Sequence, residues 1–220
     1  MAAPRLARKP RCAACLVALL AFAFAAPAAN AALLSGVLPG LVSPSDTPAT
    51  CDTTASRPFL PWGDDSYYVL APGGAFETGT SGWTLTGGAR VVYGNESYYV
   101  HSRSDYRSLY LPPGSSVTTP PMCFAFGDWK LRLFAASPGW SNGSLKVSIV
   151  VRSLLGVLSV LDGGTIPDDG SAWSPSPELQ MRLTNITGLL ATDSVSFRFT
   201  PSSWSNWLID DVYIDPWKET

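Results

Sequence analysis

Between Tyr67 and Ile214 the chain is a succession of short alternating apolar runs, each closed by Gly, Pro, Asn or Asp. Val195-Ser-Phe-Arg-Phe199 and Leu145-Lys-Val-Ser-Ile149 are the clearest. A period of two sends alternate side chains to opposite faces of a strand, so Val195, Phe197 and Phe199 face a core while Ser196 and Arg198 face outward. Leu131 and Leu133 share a face by the same rule. The spacing predicts strands at Tyr67–Leu70, Trp83–Thr86, Ala89–Tyr93, Tyr98–His101, Ser108–Leu111, Lys130–Ala135, Leu145–Arg152, Gly156–Leu161, Leu179–Leu183, Val195–Thr200 and Leu208–Ile214. No window beyond the first thirty residues sustains a 3.6-residue period, and 19 Gly and 19 Pro punctuate any helix. Strands without intervening helices specify an all-β, antiparallel β-sandwich and exclude a βα fold. Spacing leaves a jelly roll and an immunoglobulin-like sandwich both open. The buried Cys–Trp–Cys arrangement of the latter is missing, since Cys51 lies in a Pro-rich stretch and Cys123 closely follows Pro120-Pro121.

Residues 1–31 read as a signal peptide. Arg5, Arg8, Lys9 and Arg11 precede an apolar run over 12–26, Pro27 breaks it, and Ala29-Asn30-Ala31 fits the small-x-small rule for cleavage after Ala31. The alternative is an uncleaved anchor helix. The expected location is secreted, extracellular or cell-surface, with no membrane span after cleavage. The mature chain would carry eleven basic and seventeen acidic residues, a net charge of −6. That balance argues against a nucleic-acid partner, which needs a basic face. Two cysteines leave with the leader, and in an exported protein the remaining pair, Cys51 and Cys123, reads as one disulfide. Closing so long a loop contributes roughly 4 kcal/mol in the chain-entropy model. Residues 32–66, with Pro39, Pro44, Pro48, Pro58 and Pro61, form an irregular strap. Its Pro58-Phe-Leu-Pro-Trp62 segment is apolar enough to lie on the sandwich. The sandwich domain spans 67–217, and 218–220 are a tail.

Gly74-Ala-Phe-Glu-Thr-Gly79 reads as a strand (Ala75, Phe76) entering a Gly-rich turn that carries Glu77, followed by Trp83. The chain closes on Trp207-Leu-Ile-Asp-Asp-Val-Tyr-Ile-Asp215. A front segment Phe-Glu-x-Gly-x-x-Gly-Trp and a closing Ile-Asp-Asp-Val resemble the carbohydrate-binding modules with a galactose-binding-like jelly roll. The two motifs bracket about 140 residues, the usual size of such a module. The Pro-rich strap with Pro120-Pro-Met-Cys123 also resembles secreted bacterial proteins, a likeness that brings no activity with it. The first resemblance implies a jelly roll, a non-catalytic role in binding carbohydrate or an envelope glycan, and a structural calcium between the terminal strands. It carries that calcium to Glu77 and Asp210, with backbone carbonyls near Gly74 and Gly79 as further ligands. Strict alternation would put Leu208, Asp210, Val212 and Ile214 on one otherwise apolar face, where a carboxylate needs a partner. Calcium would serve, and so would backbone amides or an arginine.

Sugars stack on exposed aromatic rings. Trp140, Trp173 and Trp204 lie in polar loops and, with Asn206, are the candidate ligand-binding residues; Asn142, Asp168 and Asp169 are further hydrogen-bonding groups nearby in sequence. Trp83 and Trp207 are expected in the core. Asn95, Asn142 and Asn185 head Asn-x-Ser/Thr sequences, which suit exposed positions. The chain is not expected to be an enzyme. His101 is the single histidine, Gly-x-Ser-x-Gly is absent, and neither a phosphate loop nor a His/Cys cluster is present. His101 therefore reads as an ordinary surface residue. The alternative to a glycan-binding module is a structural or protein-interaction module of the cell surface.

Overall fold

The computed structural model describes residues 54–123, 128–139, 143–153, 158–182, 192–202 and 204–216. The leader, Cys51, Trp140, Asn142 and Asn185 lie outside them, and so does the pairing of Cys51 with Cys123. The strands are β1 (Ala55–Ser56), β2 (Tyr68–Leu70), β3 (Thr84–Thr86), β4 (Arg90–Tyr93), β5 (Arg107–Leu111), β6 (Ser116–Thr118), β7 (Met122–Cys123), β8 (Asp128–Ala136), β9 (Ser144–Ser153), β10 (Leu158–Pro167), β11 (Ser174–Pro175), β12 (Leu179–Arg182), β13 (Thr192–Pro201) and β14 (Trp207–Asp215). One 3₁₀ turn, Leu60–Trp62, is the only helical element among the described residues. No helix among them is long and apolar enough to cross a membrane.

Two antiparallel sheets form a jelly-roll sandwich. One runs β1-β2-β14-β5-β4, with β8 on the other edge of β14 and β11 and β12 on the far side of β8. The other runs β10-β9-β13-β6-β3, with β7 also on β13. The core between them takes the alternate residues: Leu131, Leu133, Leu145, Val147, Ile149, Val195, Phe197 and Phe199 are all buried. Trp83 and Trp207 belong to it as expected. The Trp83 indole N–H donates to the Pro72 carbonyl at 2.7 Å, and that of Trp207 to Ser205 Oγ at 3.0 Å.

A second apolar cluster lies on the outer face of the larger sheet. Phe59, Tyr68, Phe134 and Tyr213 form it, with Trp62, Leu70, Val100 and Trp173 packed against it. The strap segment 58–62 therefore lies on the sandwich, and β1 adds to the sheet edge through β2. Asp64 fastens the strap. Its Oδ2 accepts Arg132 Nη1 at 2.7 Å and the Tyr68 hydroxyl at 2.8 Å. Burial opposes ionisation of this carboxyl, yet the guanidinium and the phenol hold it down at about 2.

Three expected features differ. Ala75-Phe76 is a turn, with Phe76 at φ +56°. Tyr98–His101 is a loop, because both carboxylate oxygens of Glu96 accept its amides, from Tyr98 and Val100, and Tyr99 sits at φ +54°. The alternation of the last strand breaks at a bulge. β14 pairs Asp210 with Phe134 but Tyr213 with Arg132, so one extra residue stands between them, and Asp211 takes φ +47°. Trp207, Ile209, Val212 and Ile214 therefore face the core. Asp210 does not share a face with Val212 and Ile214.

Candidate functional site

Two polar regions stand out on this frame. At one end of the sandwich Ser137, Gly143, Asp168 and Asn206 come together. Asp168 joins two of them, its Oδ2 accepting the Ser137 hydroxyl at 3.2 Å and the Gly143 amide at 3.4 Å. The Ser137 hydroxyl also lies 3.2 Å from the Asn206 carbonyl, which brings in the third. A cleft of about 390 Å³ opens beside them, lined by Arg132, Ser137, Ile166, Asp168, Asp169 and Trp207 among others. Asp169 is exposed. Asn206 is half-buried, its side-chain oxygen accepting the Tyr110 hydroxyl at 2.6 Å. Trp204, in the turn leading into Asn206, is 88% exposed.

Of the candidate ligand residues, Asn206 and Trp204 lie at one end of the fold, where Asp168 and Asp169 are also found. Trp173 does not present a free ring, because it packs against the Phe59 cluster and its carbonyl accepts the Tyr98 hydroxyl at 3.1 Å. The sequence reading missed the exposed tyrosines Tyr93, Tyr98, Tyr99 and Tyr106, all on β4 or the loop that follows it. Tyr93 and Tyr106 stack at 6.0 Å.

The second region is built at the bulge of β14. That strand pairs with β8 along one edge; along the other it pairs with β5 through Trp207–Ile209 and with β2 through Tyr213–Ile214. At the handover its peptide groups turn to the front of the chain. Val212 donates to the Gly74 carbonyl at 3.2 Å and accepts the Ala71 amide at 2.8 Å. A Cβ at Gly74 would stand 2.9 Å from the Val212 oxygen, so this approach requires glycine. The opening and closing segments therefore lie side by side, as the resemblance implied.

Their carboxylates keep separate partners. Glu77 Oε1 accepts the amides of Tyr106 at 2.9 Å and Arg107 at 2.7 Å. Asp210 accepts the Glu96 amide at 3.1 Å and the Asp211 amide at 2.9 Å. Asp210 is grouped with Glu96 and Asp211, all three buried. Burial, followed by the charge of Asp211, pushes the Asp210 carboxyl up to about 9. Burial and the charge of Glu96 push Asp211 up to about 7. Glu96 is raised by burial as well. His101 closes the group: its amide donates to Asp211 Oδ2 at 3.0 Å and its Nδ1 lies 2.6 Å from Asp105 Oδ2. Ser102 and Ser104 bond each other at 2.8 Å, and among the described residues no serine hydroxyl bonds the imidazole. A Ser–His–Asp relay is not assembled there.

No protein-family model and no curated protein matches the sequence. Solved structures do match. The CBM22-1–GH10 modules of endo-1,4-β-D-xylanase 10B from Clostridium thermocellum, solved with xylohexaose, align with a TM-score of 0.50 at 14% identity, over 70% of this chain and 29% of that one. The chain has the galactose-binding-like jelly-roll fold of carbohydrate-binding modules. The CBM22-1 xylan-binding domain from Paenibacillus barcinonensis aligns at 0.47 and 16% identity, over 66% of this chain and 93% of that one. A family 61 module solved with β-1,4-galactotriose aligns at 0.42 and 17% identity, over 68% and 98%.

Proposed function

We propose that this chain is an exported, non-catalytic module that binds a carbohydrate, such as an envelope glycan, at the loop end of its sandwich. One observation carries the reading: an open cleft lined by carboxylate and hydroxyl groups lies at the same loop end as an almost fully exposed tryptophan. Sugar recognition needs this combination, an aromatic face for the C–H surface of the ring and fixed polar groups for its hydroxyls. Loops tied together through Asp168 and Ser137 present those groups on a rigid support. The outer face of the larger sheet is less available, since the strap segment around Phe59 and Trp62 covers part of it. Fold analogy alone does not assign a ligand, and the xylan and galactan oligosaccharides belong to the neighbours. The leader over residues 1–31 supports export.

A structural calcium drawing on Glu77 and Asp210, with carbonyls near Gly74 and Gly79, is part of this proposal. It is supported by the pairing of Gly74 with Val212, which holds the turn carrying Glu77 beside β14.

A glycan array on the purified protein tests the ligand. We expect Trp204→Ala and Asp169→Ala to abolish the signal, and Trp173→Ala to lower stability while leaving binding intact. Glycan binding that survives both Trp204→Ala and Asp169→Ala would overturn the site. The second reading, a surface module for a protein partner, is favoured by the tyrosines on the β4–β5 hairpin, where Tyr93 is 83% exposed. A blank array would support it.

A further inference from the structure

We propose that His101, Asp105 and Asp211 form a binding site for a divalent transition metal of the zinc class, separate in its ligands from the calcium reading. Three observations converge on it. A ring nitrogen of His101, a carboxylate oxygen of Asp105 and one of Asp211 all lie within 4.8 Å of one another. Asp211 is 1% exposed, and its Oδ1 has no hydrogen-bond partner. A buried carboxylate oxygen left without a donor is costly, and native proteins rarely leave one so.

The third observation is where the other such atoms lie. Among the described residues, Asn95 Oδ1 and Ser108 Oγ are the remaining buried side-chain atoms without a partner. Asn95 precedes Glu96, whose amide donates to Asp210. Ser108 is the next residue along β5 from Leu109, which stands opposite Ile209 of β14. Both residues thus adjoin, along the chain, residues that contact β14. Glu96, Asp105, Asp210 and Asp211 put four buried carboxyls here. The ion pair recorded for this group among the described residues is His101 with Asp105; Arg132 and Lys130 pair elsewhere, with Asp64 and Glu178. Among the described residues, the imidazole of His101 is the cationic partner seen for this group.

The donor set selects the kind of cation. Calcium and magnesium take oxygen ligands, whereas an imidazole nitrogen with carboxylates suits zinc and its neighbours. His101 Nδ1 and Asp105 Oδ2 now share a hydrogen at 2.6 Å. A metal would take the place of that hydrogen: the ring-nitrogen lone pair and the carboxylates bind the ion, a neutral ring carrying its one proton on the other nitrogen and an imidazolium giving one proton to solvent. The His101 side chain is 40% exposed, so the ion has a way in. Bound there, it would lock the 94–106 loop to the bulge of β14.

The test uses the full purified chain after chelator treatment and dialysis. Zinc is titrated calorimetrically, cobalt is followed by visible absorption, and calcium serves as the comparison ion. We expect one equivalent of zinc to bind, a cobalt spectrum of mixed nitrogen–oxygen ligation, and a higher melting temperature. His101→Ala changes a partly exposed side chain, and circular dichroism and the melting temperature of the metal-free variant check that it folds; it should weaken zinc by more than about 100-fold, beyond the loss from an outer-shell change. Asp105→Asn should do likewise, and calcium binding should be unchanged in both. Zinc affinity unaltered in His101→Ala would overturn the site, because the ion would then sit elsewhere, at a cysteine for instance. No zinc binding at millimolar concentration would overturn it too, as would calcium binding that His101→Ala weakens, since the pocket would then be a calcium site.

Discussion

Truncating Phe59 to alanine asks whether the strap is part of the folded domain or only rests on it. The ring is fully buried outside the main core. It meets Tyr68 edge-on at 5.1 Å, Phe134 in a stack at 5.4 Å and Tyr213 edge-on at 5.7 Å, with the Arg132 guanidinium 4.3 Å from its centroid. A phenylalanine buries on the order of 150–250 Å², which at about 25 cal/mol per Å² amounts to roughly 4–6 kcal/mol of transfer free energy. Aromatic pairing adds about 0.5–1.5 kcal/mol per pair. Partial collapse of the strap into the vacated space offsets some of this, so the expected loss is about 3–5 kcal/mol. Equilibrium urea unfolding of wild type and Phe59→Ala reads it as a lower midpoint at constant m-value. Limited proteolysis reports the local consequence, faster cleavage between residues 57 and 66. A midpoint shift worth less than about 1 kcal/mol with no new cleavage would show that Phe59 contributes little and refute the second-core reading.

Asp64→Asn tests the fastener chemically. The carboxyl is depressed to about 2 in the folded state, so its stabilisation is present above the unfolded value near 3.8 and fades as pH falls towards 2. The wild-type advantage over Asp64→Asn should be about 1–2 kcal/mol at pH 7, after discounting for solvent screening, and should be mostly lost as pH falls to the folded value of about 2; a difference independent of pH would count against the pair. Gly74→Ala would drive a Cβ to 2.9 Å from the Val212 oxygen, costing about 1–3 kcal/mol in thermal or chemical unfolding; a neutral effect would mean the front loop is not held there. Differential scanning calorimetry with calcium and with chelator tests Glu77 and Asp210: we expect calcium to raise the melting temperature and Glu77→Gln to abolish the increase, and identical traces with and without calcium would exclude a structural ion.

Much of the sandwich is legible in the sequence because its central strands are amphipathic at period two. Val195, Phe197 and Phe199, like Leu145, Val147 and Ile149, are buried where alternation puts them. What alternation cannot see is local competition for the backbone. Tyr98-Tyr-Val-His101 has strand-forming residues, but Glu96 takes two of its amides and makes a loop. Ser116–Thr118 and Met122–Cys123 pass unnoticed because two or three residues beside Pro120-Pro121 hold too little pattern. Arg132 and Asp64 lie 68 residues apart, and only the fold brings them to 2.7 Å. His101 read as an ordinary surface residue for the same reason: Asp211 lies 110 residues away.

The bulge in β14 was partly readable. Counting apolar positions as Trp207, Ile209, Val212 and Ile214 gives spacings of two, three and two, the mark of one inserted residue in a strand with one buried face. The unbroken alternation through Leu208, Asp210, Val212 and Ile214 attends to the wrong set. The insertion has a consequence beyond parity. A regular strand would put Asp210 and Asp211 on opposite faces, one of them in the core among Leu131, Leu133 and Ile209. The extra residue spares the core, because Asp211 occupies the bulge itself at φ +47° while Val212 resumes the buried row. Asp210, Asp211 and the amides of the 94–106 loop then meet at the point where β14 passes from β5 to β2 and the ladder has a gap. Buried carboxylates at that gap cost stability when ionised and without a cation, whereas alternation alone could place apolar residues there. Two consecutive aspartates at the break are what the proposed metal would offset, and zinc titration of the His101 variant decides it.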